Sequence, residues 1–425
     1  MIWRLLYSAA LYAALPALLA RLFWRARREP GYRERIGERF GRYRDTAVSP
    51  SGRPLVWVHA VSVGEARASA ALVRALAAGE PRCELLLTCT TAAGRKTLAD
   101  LHGHAARIVW LPWDTPGAVR RFLAHFRPVL GVLVETEVWP NLVAACRARG
   151  VPLVLANARL SERSARRYAR VSGLARPAFA AFAAVCAQSE ADAARLRAVG
   201  ATAVEVTGNL KFDATPDEAK RAEAAAFRAA LGARQVLLFA STREGEEAML
   251  FDALGAPPAE VLVVVVPRHP ARADDVARLV AARGLRTARR SRGGAVEAQV
   301  LVGDTLGEMD FYYAAADVAL IGGSFAPLGG QNPIEALAAG APAVLGPHMF
   351  NFAEVTRLAL EAGAAVQAGD AKAALVEAMR LLADPARRRA MGEAGRRLCA
   401  AHRGASARHL ARLRALLAAR AGPHA

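Results

Sequence analysis

The chain is poor in lysine, cysteine and aromatic residues. Lys96, Lys211, Lys220 and Lys372 are its only lysines among 57 basic residues, and Phe, Trp and Tyr make up 6% of the 425 positions. With so few rings the stacking platforms of a nucleic-acid binder are missing, and no recognition-helix pattern replaces them, so no nucleic-acid partner is expected. The five cysteines, Cys83, Cys89, Cys146, Cys186 and Cys399, form no C-x-x-C pair, so neither a disulfide framework nor a zinc site is expected. The one H-x-H, His102 and His104, precedes a strand and has no D-x-D beside it, so no metal is expected. Only one long apolar run exists, which excludes a polytopic membrane protein.

What is present is enough apolar material for a large core: 54% of residues are hydrophobic and 22% charged. The length exceeds what one core organises, so two domains are expected. A net charge of +19 suits polyanions, whether acidic head groups or phosphorylated small molecules. Arginine and alanine are abundant everywhere, however, and charge alone names no partner.

Residues 5–20 carry no charge, and Arg21, Arg25, Arg27 and Arg28 follow with Trp24 among them. A secretory signal would place its basic residues before the apolar core, whereas here they follow it and continue through Arg33, Arg35, Arg39, Arg42 and Arg44. The pattern reads as a membrane anchor, spanning or lying in the interface, with the body kept in the cytoplasm by its basic collar.

Beyond the anchor, short Val/Leu/Ile runs alternate with Ala/Arg-rich helical stretches, the pattern of parallel sheets in an α/β fold. Strands are expected at 54–60, 84–88, 107–111, 129–134, 152–156, 183–187 and 204–207. After a polar pause a second series is expected at 235–240, 260–266, 299–303, 317–321, 341–345 and 364–367, then a final Arg-rich helix. The division is an anchor and collar at 1–28, a Rossmann-like domain at 29–207, a linker at 208–232 and a second Rossmann-like domain with the final helix at 233–425. In such sheets ligands bind beyond the carboxyl ends of the strands.

There, V-S-V-G-E-A places Glu65 in the first turn of a helix, where a carboxylate also suits the macrodipole without any catalytic role. E-T-E-V-W-P-N places Glu135 and Glu137 two residues apart; an extended segment would point both at one wall. P-R-H-P offers Pro267, Arg268 and His269, with a guanidinium fork suited to phosphate or carboxylate. G-G-Q-N-P-I-E joins a glycine pair, Gly329 and Gly330, to a helix start with Asn332 as N-cap, Pro333 at N1, then Ile334 and Glu335, the makings of an anion site.

The run G-G-Q-N-P-I-E-A-L-A-A-G-A-P resembles the nucleotide-binding half of GT-B glycosyltransferases. Together with S-V-G-E, E-T-E-V-W-P-N, A-N-A-R-L-S-E-R-S, G-N-L-K-F-D, V-P-R-H-P, V-G-D-T-L-G-E-M and G-P-H-M-F-N-F, the chain resembles the 3-deoxy-D-manno-octulosonic acid (Kdo) transferases of lipopolysaccharide synthesis over nearly its whole length. The resemblance implies a GT-B fold, two Rossmann-like doubly wound domains facing across a cleft, with an N-terminal membrane-anchor helix. It implies inverting transfer of Kdo from CMP-Kdo to a lipid A precursor, without a metal or other cofactor, on the cytoplasmic side of the inner membrane among its lipids. Glu65 resembles the general base, and Glu135 and Lys211 resemble residues that stabilise the transition state. Pro267, Arg268, His269, Gly307, Glu308, Met309 and Asn332 to Glu335 resemble the CMP-binding elements. Gln331 departs from the pattern, in which a His stands there.

A helix start beside Glu65 should weaken it as a base, so an apolar acceptor surface or the neighbouring Glu135 is expected to raise its pKa again. The alternative is a GT-B transferase that takes a UDP-sugar for a lipid-linked acceptor. Binding of CMP against UDP separates the two.

Overall fold

The computed structural model describes residues 2–44, 52–79 and 83–421. The stretch 45–51, inside the domain expected at 29–207, lies outside them. The chain divides into two compact units, Met1–Ala214 with Arg403–Ala425, and Thr215–His402.

The first unit is built on a seven-stranded parallel sheet: β1 (Leu55–His59), β2 (Glu84–Cys89), β3 (Ala106–Trp110), β4 (Leu130–Val134), β5 (Leu153–Ala158), β6 (Ala184–Ala187) and β7 (Val204–Val206), ordered β3-β2-β1-β4-β5-β6-β7. Its central strands are buried on both faces, which is why they read as unbroken apolar runs. Ser62, Thr91, Ser161 and Ser189 each cap the helix that follows a strand, accepting a backbone N–H from inside its first turn. The order reverses between β1 and β4, the place where doubly wound sheets open a crevice.

The second unit repeats the plan with β8 (Gln235–Thr242), β9 (Val261–Pro267), β10 (Thr287–Arg289), β11 (Val300–Val302), β12 (Val318–Ile321), β13 (Ala343–Leu345) and β14 (Ala365–Gln367), ordered β10-β11-β9-β8-β12-β13-β14. Its reversal lies between β8 and β12. Every expected strand is found within two residues of its place. β10 was not expected: it is three residues of Thr, Ala and Arg at the sheet edge, with no apolar run to announce it.

Two boundaries are corrected. The expected linker at 208–232 is largely folded: Asp217 caps the helix Glu218–Leu231, which packs on the helix Met309–Ala315 with Phe227 edge-on to Phe311 at 5.3 Å. The final helix, Ala405–Ala421, belongs to the first unit and not to the second. Its Ala405, Leu413 and Leu417 join the core formed by Leu72, Leu76 and Leu210, a match of apolar faces that chain order does not reveal.

At the other end, the helix Ile2–Arg25 is long and apolar enough to cross a membrane by length and composition. Most of its surface is exposed.

Candidate active site

β1 ends at His59, and the chain turns through Val61 and Ser62 into the helix Val63–Ala68. The Ser62 hydroxyl accepts from the Glu65 backbone N–H at 3.3 Å and donates to Glu65 Oε1 at 3.0 Å, while Val61 N–H donates to Oε2 at 2.7 Å. Glu65 thus stands close to a capping-box carboxylate, except that it holds the N–H of Val61, one residue before the cap Ser62. Burial nevertheless pushes its pKa up to about 7, with Glu135 and Glu137 adding to the rise and the Val61 bond opposing it. The expected weakening by the helix start is overcome by burial first and by Glu135 second.

Glu135 directly follows β4, the strand across the reversal from β1. Its backbone is left-handed, φ +65°, so the extended segment expected for 135–137 is not found. A non-glycine residue in this region just after a strand redirects the chain. The carboxylates of Glu135 and Glu137 nonetheless both act on Glu65 electrostatically. Glu135 is buried, and burial alone would push its pKa up. Lys211 and Arg159 prevail and hold it below the usual carboxylate range. Lys211 Nζ donates to Oε1 at 2.7 Å, and Arg159 lies 3.7 Å from Oε2. Burial pushes the Glu137 pKa up to about 7, with a hydrogen bond to the Trp139 side chain opposing the rise and the charge of Glu135 adding to it.

Lys211 is placed by a chain of polar contacts. It sits in the turn Leu210–Asp213, where Asn209 Oδ1 accepts from its N–H at 3.0 Å. Leu210 N–H donates to Asn157 Oδ1 at 3.0 Å, and Asn157, also left-handed at φ +52°, donates its own N–H to His409 Nε2 at 2.9 Å. His409 lies on the final helix, whose first N–H groups, at Gly404 and Ser406, are held by the Asp213 carboxylate. Burial pulls the His409 pKa down to about 4, so its Nε2 is free to accept while Nδ1–H donates to Ala405 O at 2.7 Å. Arg159, Asn157 and His409 were not among the expected site residues. The first two lie in the A-N-A-R run that closes β5, whereas nothing local marks His409.

In the second unit the expected donor-binding residues gather at the ends of β9, β11 and β12. Pro267 closes β9, and Arg268 follows, partly exposed, its N–H bonded to Thr242 O at 2.9 Å, with His269 exposed beside it. Gly307 is left-handed at φ +85°, and Met309 begins a helix. Glu308 is committed within the unit to Lys220 at 2.9 Å and Arg290 at 3.1 Å. Burial would raise its pKa, but these cations and the Thr305 hydroxyl hold it low.

Gly329 (φ +93°) and Gly330 (φ +77°) are glycine for two reasons. Both are left-handed, and a Cβ would stand 2.2 Å from Asn351 Nδ2 at the first and 2.3 Å from Met349 Sδ at the second. Both are buried, whereas Gln331, Asn332 and Glu335 remain partly exposed. The helix is only the six residues Ile334–Ala339, with Pro333 rather than Asn332 in the N-cap place. Asn332 Oδ1 accepts from Ile334 N–H at 3.2 Å, and its Nδ2 donates to Glu335 Oε1 at 3.3 Å. So short a helix offers N–H donors more than a macrodipole.

A support that the sequence reading missed is Glu246, fully buried after β8. It accepts from Arg243 N–H at 2.8 Å, Gly323 N–H at 2.6 Å, Phe325 N–H at 2.9 Å and Ala326 N–H at 3.3 Å, tying the loop after β12 to the end of β8. Among the described residues no group of three or more His, Cys, Asp or Glu side chains could hold a metal ion.

Comparison with known proteins adds sequence kinship to this geometry. Residues 34–214 match the family described as 3-deoxy-D-manno-octulosonic-acid transferase (kdotransferase). A 3-deoxy-D-manno-octulosonic acid transferase of Bordetella pertussis is 49% identical over 419 residues, 95% of this chain and 97% of that one. One from Haemophilus influenzae is 33% identical, covering 96% of this chain and 97% of the relative. Among solved structures, Anabaena Alr3699/HepE in complex with UDP aligns with a TM-score of 0.59 at 14% identity, over 86% of this chain and 100% of that one. At that identity the likeness shows the fold alone, and the fold is GT-B.

Proposed function

Because the chain belongs to the 3-deoxy-D-manno-octulosonic acid (Kdo) transferase family and is a glycosyltransferase, we propose that it moves Kdo from CMP-Kdo onto the glucosamine disaccharide of a lipid A precursor, with inversion and without a metal, at the cytoplasmic face of the inner membrane. The observation that carries the reading is the carboxylate pair at the sheet reversal of the first unit. Glu65 has its pKa raised to about 7, and Glu135 is held ionised by Lys211.

A general base works best when its pKa lies near the working pH. Glu65 takes the proton of the acceptor hydroxyl as that oxygen bonds to the anomeric carbon of Kdo and the bond to the cytidylate oxygen breaks. Glu135, kept charged, holds Lys211 and Arg159 in place as cations. Lys211 answers the negative charge of the donor. In the second unit Arg268 and the helix start at Asn332 bind the departing phosphate, and Glu335 accepts from ribose hydroxyls. Glu308, already engaged with Lys220 and Arg290, orders the turn at Gly307 and Met309 against the nucleotide.

The test is to incubate the purified protein with CMP-Kdo and a tetra-acylated lipid A precursor and weigh the products. A gain of one or more Kdo units is expected, with CMP and not UDP binding to the protein. Absence of any gain, or binding of UDP in preference to CMP, overturns the reading.

A further inference from the structure

The helix Ile2–Arg25 does not stand away from its unit. The positions that lose exposure run from Tyr7 through Leu11, Leu15, Leu18 and Leu22 to Arg25, at spacings of three and four, which is one helical stripe along most of its length. That stripe meets the helices Pro140–Ala148 and Ser172–Phe179 and the turn Pro30–Arg33. Near one end the Trp3 indole lies so close to Gly173 that a Cβ there would be 2.3 Å away. Farther along, Ser8 and Asn141 exchange hydrogen bonds at 3.0 to 3.1 Å, Tyr12 Oη accepts from Gly117 N–H at 3.4 Å, and Leu22 packs with Ala26 and Tyr32.

The opposite face is apolar and uncovered. Ile2, Leu5, Leu6, Phe23 and Trp24 are each 45% or more exposed. No charge interrupts positions 5–20, and no acidic residue precedes Glu29. Cations frame the face at both ends. Arg4 is exposed at the start, and Arg21, Arg27, Arg28 and Arg33 are exposed at the finish. An apolar face with Trp24 near one end and cations only at its ends matches an anionic lipid surface.

A helix of 24 residues is about 36 Å long, enough to span. To span while keeping its contacts, it would carry Asn141, the buried Asp114 that Asn141 bonds and the arginines of the two supporting helices into hydrocarbon. We infer that Ile2–Arg25 lies in the plane of the membrane interface, its outer face sunk among the lipids of one leaflet and its arginines on their phosphates, so that the first unit rests on the bilayer along the helix's length. This orientation rests on the membrane attachment proposed above and goes beyond it.

The test uses the full chain, expressed in cells with Cys83→Ala, since the other native cysteines are buried. Single cysteines are introduced as Arg4→Cys or Arg28→Cys, and a membrane-impermeant sulfonated maleimide is applied to inverted and right-side-out inner-membrane vesicles. Both positions are expected to label from the cytoplasmic side, in inverted vesicles. Labelling of position 4 only in right-side-out vesicles, with position 28 labelled only in inverted ones, would mean a spanning helix: it overturns this inference and leaves the attachment standing. Recovery of the chain in the soluble fraction, as a monomer or a self-associated oligomer, overturns the attachment itself.

Discussion

Lys211 Nζ lies 2.7 Å from Glu135 Oε1, joining the turn after β7 to the end of β4 across 76 positions of sequence. The Glu135 backbone is left-handed and its carboxylate buried. For a non-glycine residue such a backbone costs about 1–2 kcal/mol, a strain retained where the direction of a side chain matters.

Lys211→Met leaves the Glu135 carboxylate with Arg159 alone, at 3.7 Å. A loss of about 1–3 kcal/mol is expected from a buried acceptor deprived of its partner. Denaturant melts of K211M, E135Q and the double variant measure it. The double variant should lose less than the sum of the singles, whereas strict additivity means the pair is not coupled.

The acid limb of the kcat/KM profile should fall near pH 7, where Glu65 protonates, and not near 4.5. Glu137→Gln removes one of the charges that disfavour the Glu65 anion, so the limb moves to lower pH. The sign for stability runs the other way. Between 4.5 and 7 the folded protein holds protons at Glu65 and Glu137 that the unfolded chain has released, so these two groups stabilise least above pH 7. A pH–rate series on wild type and E137Q, with thermal melts beside it, checks both signs.

Gly329→Ala combines a left-handed backbone with a contact against Asn351, whereas Gly363→Ala meets nothing within 4 Å at a similar φ of +67°. Titration calorimetry should show CMP affinity lowered about tenfold or more for G329A, the equivalent of roughly 1.4 kcal/mol. G363A should keep it. Equal affinity in both variants removes the glycine loop from the nucleotide site.

A protein cut to residues 215–402 should fold and bind CMP by itself, because the helix from 405 onward packs on the first unit. A cut at 233–425 lacks the helix Glu218–Leu231 that covers Phe311, and carries the final helix with its apolar face left without a partner. It should be insoluble. The reverse outcome restores the boundary read from sequence.

The strands were legible because parallel strands covered on both faces leave unbroken apolar runs such as Val261–Pro267, and the carboxylates because they follow those runs directly. β10 was not legible, having no apolar run. Nor was the place of the final helix, whose apolar faces match the helix Ala70–Ala78 across more than three hundred residues of chain. Glu137 was noticed, but the turn at Glu135 could not be foreseen, since a left-handed glutamate leaves no mark in sequence. Glu246 escaped because a buried carboxylate that serves four backbone N–H groups looks, in sequence, like any helix-start acid.

The most direct measurement is single-turnover transfer by Glu65→Gln beside wild type, with CMP affinity and melting temperature taken on the same samples. Glutamine keeps an oxygen for Val61 N–H but cannot take a proton. Transfer should fall by about 10²–10⁴-fold. CMP affinity should be unchanged, and the melting temperature at pH 8 should equal or exceed that of wild type. Transfer within a few-fold of wild type, or a parallel loss of fold and CMP binding, would contradict a proton-abstracting role for this carboxylate.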